Sequence, residues 1–422
     1  TAPVAEMTDR LVTDLARALA AALAGDGHAL APIGPGPERD QIRSMLQVDI
    51  PLERDDVAVV LPTSGSTGEP KGALLPASAL LHSARATLSR LGGPGRWVMA
   101  LPPSRVAGLQ VLVRSVVAGT TPVPVVGAFT AEAFQAATTR ALSSGPARLH
   151  TALVPTQLAR LLDAGPVGTA ALRTYDAVLL GGGASAPDLL QRATSAGVRV
   201  VTTYGMTETC GGCVYDGHPL DGVEVELLPV DGGGTDVGRI GIRGPVVFAG
   251  YRLRPELTAG ALVDGCHVTE DLGRWGSDGR LEVVGRRDDV VVSGGVNVPL
   301  LAVEQAVASY PGIAEAGAVG VPDPEWGTRV VAYAVLRPGV SPPALDAVRA
   351  HVGSRHPRAW APRQLVVVDA LPLLASGKLD RIALRAQAQG AAGAHEPGNL
   401  AGRIGGDGGG DGHGRPARTQ AS

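Results

Sequence analysis

The sequence contains little cysteine, few aromatic residues, no long apolar run and no excess of either charge. Its three cysteines, Cys210, Cys213 and Cys266, are too few for a disulfide framework, which favours a reducing compartment, the cytoplasm. No stretch approaches the ~20 consecutive apolar residues of a membrane span, and the first residues lack the pattern of a signal peptide. Because 37 basic side chains nearly balance 40 acidic ones, the composition also argues against a nucleic-acid-binding protein.

Glycine and proline are abundant, with 58 and 33 residues among 422. That length suits two or three domains and allows a large hydrophobic core without disulfides. Beyond residue 389 the sequence is rich in glycine and almost free of apolar side chains. Such a segment cannot bury enough surface to offset its ordering entropy. We therefore expect residues 389–422 to form a disordered tail.

The order of strand-like and helical segments changes twice along the chain. From Val57 to Thr202 the two kinds alternate, which predicts an α/β fold with a doubly wound parallel sheet. After Leu220 short strands separated by turn signals predict an antiparallel β subdomain. Past Gly285 a mixed pattern predicts a small α+β domain. We expect an N-terminal domain of residues 1–287 and a C-terminal domain of residues 288–388.

Five apolar residues near the N-terminus recur at every fourth position, namely Met7, Leu11, Leu15, Leu19 and Leu23. This spacing is typical of an amphipathic helix, and the glycine at position 25 marks its end. We expect the stripe to be the face of the helix that packs on the core.

The strongest local signal is the segment 63–72, TSGSTGEPKG, which follows the apolar run that begins at Val57. Its glycines let backbone amides turn toward an anion, while its hydroxyl groups and Lys71 add donors and charge. The spacing differs from that of the Walker A loop. A flexible linker is the weaker alternative, because such linkers rarely join a buried strand to an apolar helix. We interpret the segment as a phosphate-binding loop between a strand and a helix.

Three further sites suit a nucleotide. Glu208 lies in a hydroxyl-rich turn and suits Mg²⁺, which prefers one or two carboxylates plus phosphates. Asp271 suits the two hydroxyls of a ribose, and the glycines 181–183 allow a flat ring to approach the backbone. Taken alone, Glu208 is better explained as a surface acid, Asp271 also fits a surface turn, and a tight turn explains the glycines equally well.

The pair Cys210 and Cys213 has the C-x-x-C spacing of redox and zinc sites. One such pair supplies only two of the four ligands that a structural zinc requires. The pair also lies in a glycine-rich segment directly after Glu208. We therefore interpret both cysteines as small side chains that shape a substrate pocket.

Five segments, in this order, resemble the motifs of the adenylate-forming superfamily of acyl-CoA synthetases, luciferases and peptide-synthetase adenylation domains. They are the phosphate-binding loop, YGMTET at 204–209, TEDLGRW at 269–275, GRRDDVVVSGG at 285–295 and LPLLASGKLDR at 371–381. The matches run from about residue 57 to 385. The resemblance implies a large N-terminal domain, a small mobile C-terminal domain and an enzyme that activates a carboxylic acid with ATP.

The resemblance also implies roles for single residues. Lys378, Glu208 and Lys71 would be catalytic, Asp288 would be the hinge between the domains, and Mg²⁺ would lie at Thr207 and Glu208. CoA would contact Gly294 and Gly295, and the acyl pocket would include Arg105, Gly108, Gly205 and Met206. The residues that would bind ATP are Thr63, Ser64, Gly65, Ser66, Thr67, Gly68, Lys71, Gly181, Gly182, Gly183, Tyr204, Gly205, Thr207, Asp271 and Arg286.

Only 62 residues precede the loop, which is few for the superfamily. A short N-terminal region of this kind resembles that of the o-succinylbenzoate–CoA ligases of menaquinone biosynthesis, especially the actinobacterial ones. The segments 60–70, 106–115 and 204–222 are also similar in sequence to those ligases. One departure is that Ser104 and Arg105 stand where that family usually has a histidine. Arg105 would suit the second carboxylate of an aromatic dicarboxylic acid, although a solvated loop arginine explains it equally well.

The resemblance implies two half-reactions, in which ATP first gives an acyl-adenylate and CoA then takes the acyl group. Small molecules would therefore be the partners, with no nucleic acid and no membrane span, and a homodimer stays open. The alternatives are another short acyl- or aryl-CoA ligase, a stand-alone adenylation domain that loads a carrier protein, and a non-catalytic relative. Retention of both Lys71 and Lys378 argues against the last of these.

Overall fold

A computed structural model of the chain describes residues 9–34, 36, 39–64, 70–145, 147–230, 236–373 and 379–392. The predicted phosphate-loop residues Gly65, Ser66, Thr67 and Gly68, the predicted catalytic Lys378 and most of the predicted tail lie outside these ranges. The helices of the described part are α1 (Asp9–Ala24), α2 (Arg39–Leu46), α3 (Ala77–Arg90), α4 (Val106–Val117), α5 (Ala131–Ser143), α6 (Pro155–Asp163), α7 (Pro166–Arg173), α8 (Pro187–Ser195), α9 (Pro255–Ala261), α10 (Leu300–Ala308), α11 (Leu345–Gly353) and α12 (Arg381–Ala392).

The strands of the described part form several sheets and short 3₁₀ turns occur between some of them. In chain order the strands are β1 (Val57–Ser64), β2 (Pro70–Pro76), β3 (Arg96–Met99), β4 (Val123–Pro124), β5 (Leu149–Leu153), β6 (Ala177–Leu180), β7 (Val200–Met206), β8 (Gly211–Tyr215), β9 (His218–Pro219), β10 (Glu224–Leu228), β11 (Gly238–Arg243), β12 (Gly250–Tyr251), β13 (Leu262–Val263), β14 (Cys266–Trp275), β15 (Leu281–Arg286), β16 (Val290–Ser293), β17 (Val296–Pro299), β18 (Ile313–Asp323), β19 (Gly327–Leu336) and β20 (Gln364–Val367).

The largest sheet has the order β4-β3-β5-β6-β7-β8-β9. Its pairs from β4 to β7 are parallel, and β8 and β9 add antiparallel strands. Successive side chains of a strand point to opposite faces. Trp97 and Met99 accordingly join one hydrophobic core, while Val98 between them joins the other. Both faces of the sheet are therefore covered, which confirms the predicted doubly wound α/β fold.

The segment after the phosphate-binding loop is a strand, so the predicted helix there is wrong. β2 pairs antiparallel with β1 as far as Ser64↔Pro70, and β12 pairs with β2. Helix α3 begins only at Ala77. The two described strands on either side of the loop form an antiparallel pair in which Thr63 lies opposite Lys71. Proline at each end of β2 is more typical of a loop than of a strand. The segment becomes a strand because it pairs with strands that are distant in sequence.

The N-terminal helix is present, but the predicted stripe is only partly correct. Leu11 is 50% exposed, whereas Val12 and Leu19 are buried. Met7 lies outside the described residues. Because an α-helix has 3.6 residues per turn, a strict four-residue spacing rotates away from the core. The buried face of α1 therefore starts one residue later, at Val12.

The antiparallel subdomain and the small α+β part also appear as separate sheets. β10, β11, β14 and β13 pair in that order, with β15 on β14. The chain then enters the β16–β17 hairpin and the sheet β18-β19-β20, which α10, α11 and α12 accompany. Helix α12 continues to Ala392, so residues 389–392 are helical and the predicted tail starts too early. Among the described residues, no helix is long and apolar enough to cross a membrane.

Candidate active site

Two loops lie at the same edge of the large sheet because they follow neighbouring parallel strands. Residues 181–183 come directly after β6, and the turn 207–209 comes after β7. A ligand site at the carboxyl ends of parallel strands is the common arrangement in doubly wound folds. A Cβ atom on Gly181 would collide with the hydroxyl of Thr203 on β7. Glycine at this position therefore lets the two loops approach each other closely.

A hydrogen-bonded cluster surrounds Asp271. The Tyr204 hydroxyl donates to Asp271 Oδ2 at 2.8 Å, and Arg286 Nη1 donates to Oδ1 at 3.2 Å. The Asp271 side chain is only 14% exposed. Burial, together with the neighbouring Asp271 charge, raises the pKa of Tyr204 well above its usual value, so the hydroxyl stays a donor. The structure thus joins three predicted ATP-binding residues, and the oriented carboxylate suits the hydroxyls of a ribose.

A second cluster joins Lys71 to Glu208 through Tyr251. The Tyr251 hydroxyl donates to Glu208 Oε1 at 2.8 Å, and Lys71 Nζ lies 4.8 Å from the centroid of the Tyr251 ring. Sequence analysis did not identify Tyr251. It lies on β12, which pairs antiparallel with β2, the strand that carries Lys71. No local pattern marks such a tertiary contact.

The described side chains around Glu208 fit a Mg²⁺ site, and they do not form a site in which protein ligands alone surround a metal. Among the described residues, no group of three or more His, Cys, Asp and Glu side chains converges on one point. Mg²⁺ is usually held by one or two carboxylates together with substrate phosphates and water. Glu208 is half-buried, and together with the adjacent Thr207 it would supply a partial site of that kind.

Helices α3 and α4 hold the turn that carries Glu208. Cys210 ends this turn in the left-handed conformation, with φ of 51°, which is unusual for a residue with a side chain. Its carbonyl accepts hydrogen bonds from Gln110 Nε2 at 2.6 Å and Ser83 Oγ at 3.2 Å. These two buried donors stabilise the turn from behind. Sequence analysis did not predict their role, because both lie in apolar helices.

The interpretation of Cys210 and Cys213 as pocket-shaping residues is wrong. Both side chains are completely buried in the core. Burial raises the pKa of Cys213 to about 12 and raises that of Cys210 as well. Each thiol therefore stays protonated and packs as a small apolar group.

The four residues predicted for the acyl pocket have different surroundings. Arg105 is exposed and precedes α4 as its N-cap residue. Gly108 is buried in α4, and a Cβ there would collide with the Pro102 carbonyl. Gly205 lies on β7, where a Cβ would collide with the Gly211 carbonyl, and Met206 is half-buried with its sulfur 3.4 Å from His267 Nε2. Close packing thus accounts for both glycines, and Arg105 is the exposed member of the set.

The predicted hinge and CoA residues lie on either side of β16. Asp288 lies in a 3₁₀ turn, and its carboxylate accepts two hydrogen bonds of 2.8 Å from Arg286. Gly294 and Gly295 form the tip of the β16–β17 hairpin, with φ of 57° and 78°. A two-residue hairpin with positive φ at both positions requires glycine or a similar residue. The turn therefore explains both glycines independently of any CoA contact.

An ion-pair network lies close in sequence to the predicted catalytic Lys378. Arg381 Nε donates to Asp289 Oδ2 at 3.0 Å, and Arg381 also pairs with Glu304, whose side chain is 10% exposed. Glu304 Oε1 in turn accepts from the Ala318 amide at 2.9 Å. The network connects the chain just after the predicted hinge to α10, β18 and the start of α12.

Comparisons with known proteins agree with this arrangement. The family model of AMP-binding enzymes matches residues 7–252, and that of the AMP-binding enzyme C-terminal domain matches residues 302–378. A Mycobacterium tuberculosis protein named "Probable 2-succinylbenzoate–CoA ligase" is 44% identical over 371 residues, which cover 87% of this chain and 93% of that protein.

Solved structures show the same relationship. The o-succinylbenzoate CoA synthetase from Bacillus subtilis, in complex with its acyl-adenylate intermediate, has a TM-score of 0.67 and 31% identity, over 79% of this chain and 70% of that one. The same enzyme in complex with ATP and a magnesium ion has a TM-score of 0.66 and 30% identity, over 78% and 70%. The chain therefore belongs to the family of AMP-binding enzymes, the adenylate-forming superfamily that its five sequence motifs resemble.

Proposed function

We propose that this chain is an o-succinylbenzoate–CoA ligase of menaquinone biosynthesis, an AMP-forming acid–thiol ligase that uses ATP, Mg²⁺ and CoA. The relatives named for this activity resemble most of the chain. The structural observation that carries the proposal is that Lys71 and Glu208 both contact Tyr251. It brings the end of the phosphate-binding loop to the end of β7, the strand that also carries Tyr204 of the Asp271 cluster.

In the first half-reaction a carboxylate oxygen of the acid attacks the α-phosphorus of ATP, and pyrophosphate leaves. The protein contributes orientation and neutralisation of charge and no nucleophile of its own. Lys71 and the loop from Thr63 would hold the β- and γ-phosphates. Asp271 and Tyr204 would orient the ribose, and Lys378 would neutralise charge between the carboxylate and the α-phosphate. Glu208 and Thr207 would hold Mg²⁺, which would supply further positive charge to the phosphates.

In the second half-reaction the CoA thiol attacks the acyl carbon of the adenylate, and AMP leaves. We infer that the C-terminal domain turns about Asp288 between the two steps. Asp288 lies in the short turn that joins β15 to β16, and hinges are commonly such element-terminal residues. Gly294 and Gly295 at the hairpin tip would then lie along the path of the thiol.

The change Asp288→Pro should impair the second half-reaction selectively. Proline fixes φ near about −65°, so a hinge that needs two backbone states would be restricted to one. We expect thioester formation from supplied acyl-adenylate to fall at least about tenfold, while pyrophosphate release changes little. Rapid-quench measurement of each half-reaction tests this expectation.

The control for that experiment is Asp288→Ala. It removes the same two hydrogen bonds to Arg286 but leaves φ unrestricted. If the alanine and proline variants lose the second step equally, the ion pair matters and the hinge lies elsewhere.

We further propose that Arg105 binds the carboxylate of the acid that does not react. Its position favours this role, since a cation at the N-terminus of α4 opposes the helix dipole and does not stabilise the helix. The amides at the start of the 12-residue helix α4 would attract the same carboxylate. A desolvated carboxylate needs such partners.

The change Arg105→Ala should raise KM for o-succinylbenzoate far more than KM for ATP. A charge-assisted hydrogen bond contributes about 1.5–3 kcal/mol, so kcat/KM should fall roughly ten- to a hundredfold. The value of kcat/KM for an analogue without the second carboxylate should not change. Arg105→Lys is the matched control, because it keeps the charge and loses the planar fork. An equal response of both acids would assign Arg105 a structural role only.

Two alternatives differ in the acceptor or in the acid. Another short acyl- or aryl-CoA ligase would prefer a different acid in a pyrophosphate-release panel. A stand-alone adenylation domain would transfer its acyl group to a phosphopantetheinyl carrier protein and not to CoA. We place the enzyme in the cytoplasm, and sedimentation of the purified protein distinguishes a homodimer from a monomer.

A further inference from the structure

The segment around β12 contacts Glu208 through both its backbone and its side chain. The Phe248 amide donates to the Glu208 carbonyl at 2.9 Å, which fixes the main chain of the turn. The Tyr251 hydroxyl donates to Glu208 Oε1 at 2.8 Å, which fixes the side chain. Among the described residues, Glu208 Oε2 receives no hydrogen bond. One oxygen of the carboxylate is thus oriented by the protein.

The ring of Tyr251 contacts the second charged group of the site. Lys71 Nζ lies 4.8 Å from the ring centroid, a distance at which the π face attracts a cation. The ring is itself held in place, since it is 7% exposed and meets Phe248 edge-on at a centroid distance of 4.9 Å. Tyr251 also pairs with Ala73 of β2, two residues beyond Lys71.

We infer that Tyr251 is a positioning residue, which holds Glu208 in the rotamer that binds the metal and holds Lys71 beside it. This inference rests on the proposed function, which assigns Mg²⁺ to Glu208 and phosphates to Lys71. The strand would keep its place without the hydroxyl, because backbone pairing and ring packing remain. The hydroxyl donates to the carboxylate that would bind the metal, and Tyr251 is therefore an outer partner of the proposed metal site. Outer partners of this kind usually change metal affinity when they are removed.

The test compares Tyr251→Phe with Tyr251→Leu in the full-length protein. The phenylalanine variant removes the hydroxyl and keeps the ring, whereas the leucine variant removes both. Mn²⁺ serves as the probe, and its dissociation constant is measured by electron paramagnetic resonance with a non-hydrolysable ATP analogue. We expect about tenfold weaker Mn²⁺ binding for Tyr251→Phe, with a melting temperature near that of the wild type. Tyr251→Leu should in addition weaken binding of the ATP analogue, because Lys71 loses its contact with the aromatic ring.

The control is Tyr175→Phe, which also removes one buried tyrosine hydroxyl, here the one that lies 2.7 Å from Thr138 Oγ1 in the core on the other face of the large sheet. Its melting temperature should fall slightly, because a buried hydrogen bond is lost, while its Mn²⁺ affinity stays within about twofold of the wild type. The inference is overturned if Tyr251→Phe binds Mn²⁺ as the wild type does, or if Tyr175→Phe weakens binding equally. If Tyr251→Leu does not fold, Tyr251→Phe decides alone. Since the experiment contains no acid, an incorrect acid assignment leaves it valid, and a wild type that binds no Mn²⁺ with the analogue contradicts the proposed function itself.

Discussion

Lys378→Ala is expected to lower the rate of acyl-adenylate formation by about a hundred- to a thousandfold. Thioester formation from supplied acyl-adenylate should stay close to the wild-type rate. The reason is that, in the proposed mechanism, the positive charge on Lys378 would be needed only while the carboxylate attacks the α-phosphate. A group that acts in one transition state alone lowers the rate of that step alone. Rapid-quench measurement of each half-reaction separates the two rates.

Arg385→Ala is the matched control for the lysine variant. Arg385 is an exposed cation on α12, a few residues beyond Lys378. Its removal takes one positive charge from the same region without touching the proposed site. Both half-reactions of this variant should run at wild-type rates. Equal loss of the two steps in Lys378→Ala would show that the lysine supports the domain as a whole and has no role specific to adenylation.

Arg381→Met is expected to destabilise the protein by about 3–5 kcal/mol, because it leaves a buried carboxylate without its counter-charge. Glu304 is 10% exposed, and Arg381 contacts it through Nη1 and through Nη2, the latter at 3.2 Å from Oε2. Methionine keeps much of the length of the side chain and none of the charge. The free energy of unfolding, measured by urea denaturation of the C-terminal transition, tests the value.

The loss in Arg381→Met should depend on pH. Burial already raises the pKa of Glu304, and Arg381 opposes that effect. Without Arg381 the pKa in the folded state rises further above the value of the unfolded chain. A carboxyl group of this kind binds its proton more tightly when folded, so the folded state gains stability as pH falls. The destabilisation should therefore be smaller at pH 5 than at pH 8.

A double-mutant cycle with Glu304→Gln identifies the charge responsible. The double variant has no buried carboxylate, so it should recover part of the stability and lose the pH dependence. A destabilisation of Arg381→Met that is the same at both pH values would mean that the loss comes from packing or from the contact with Asp289.

The sequence predicted the parallel sheet well, because buried parallel strands are continuous apolar runs that need no knowledge of their partners. It failed at β2, since the segment from Pro70 to Pro76 becomes a strand only by pairing with β1 and β12. It also placed Leu11 in the buried stripe of α1, where Val12 is the buried residue, although Leu19 and Leu23 are buried as predicted. The first error concerns tertiary pairing, and the second comes from treating the helical period as four.

The site was predicted unevenly for a similar physical reason. Asp271 and Arg286 lie in motifs that a sequence displays directly, and the structure brings them together with Tyr204. Tyr251 and Gln110 make their site contacts with residues distant in sequence. Nothing in their local sequence distinguishes them from core residues. The cysteines 210 and 213 show the reverse error, since a spacing typical of chemistry belongs to a packed core.

The most direct measurement is the reaction of the purified protein with ATP, Mg²⁺, CoA and o-succinylbenzoate, followed by mass spectrometry of the products. We expect the mono-CoA thioester of this acid together with AMP and pyrophosphate in equal amounts. We also expect kcat/KM for o-succinylbenzoate to exceed that for each of a panel of other aromatic and short-chain acids by at least about tenfold. Thioester formation with another acid at a higher kcat/KM would contradict the proposed function. An o-succinylbenzoyl adenylate that forms but does not react with CoA would contradict it as well.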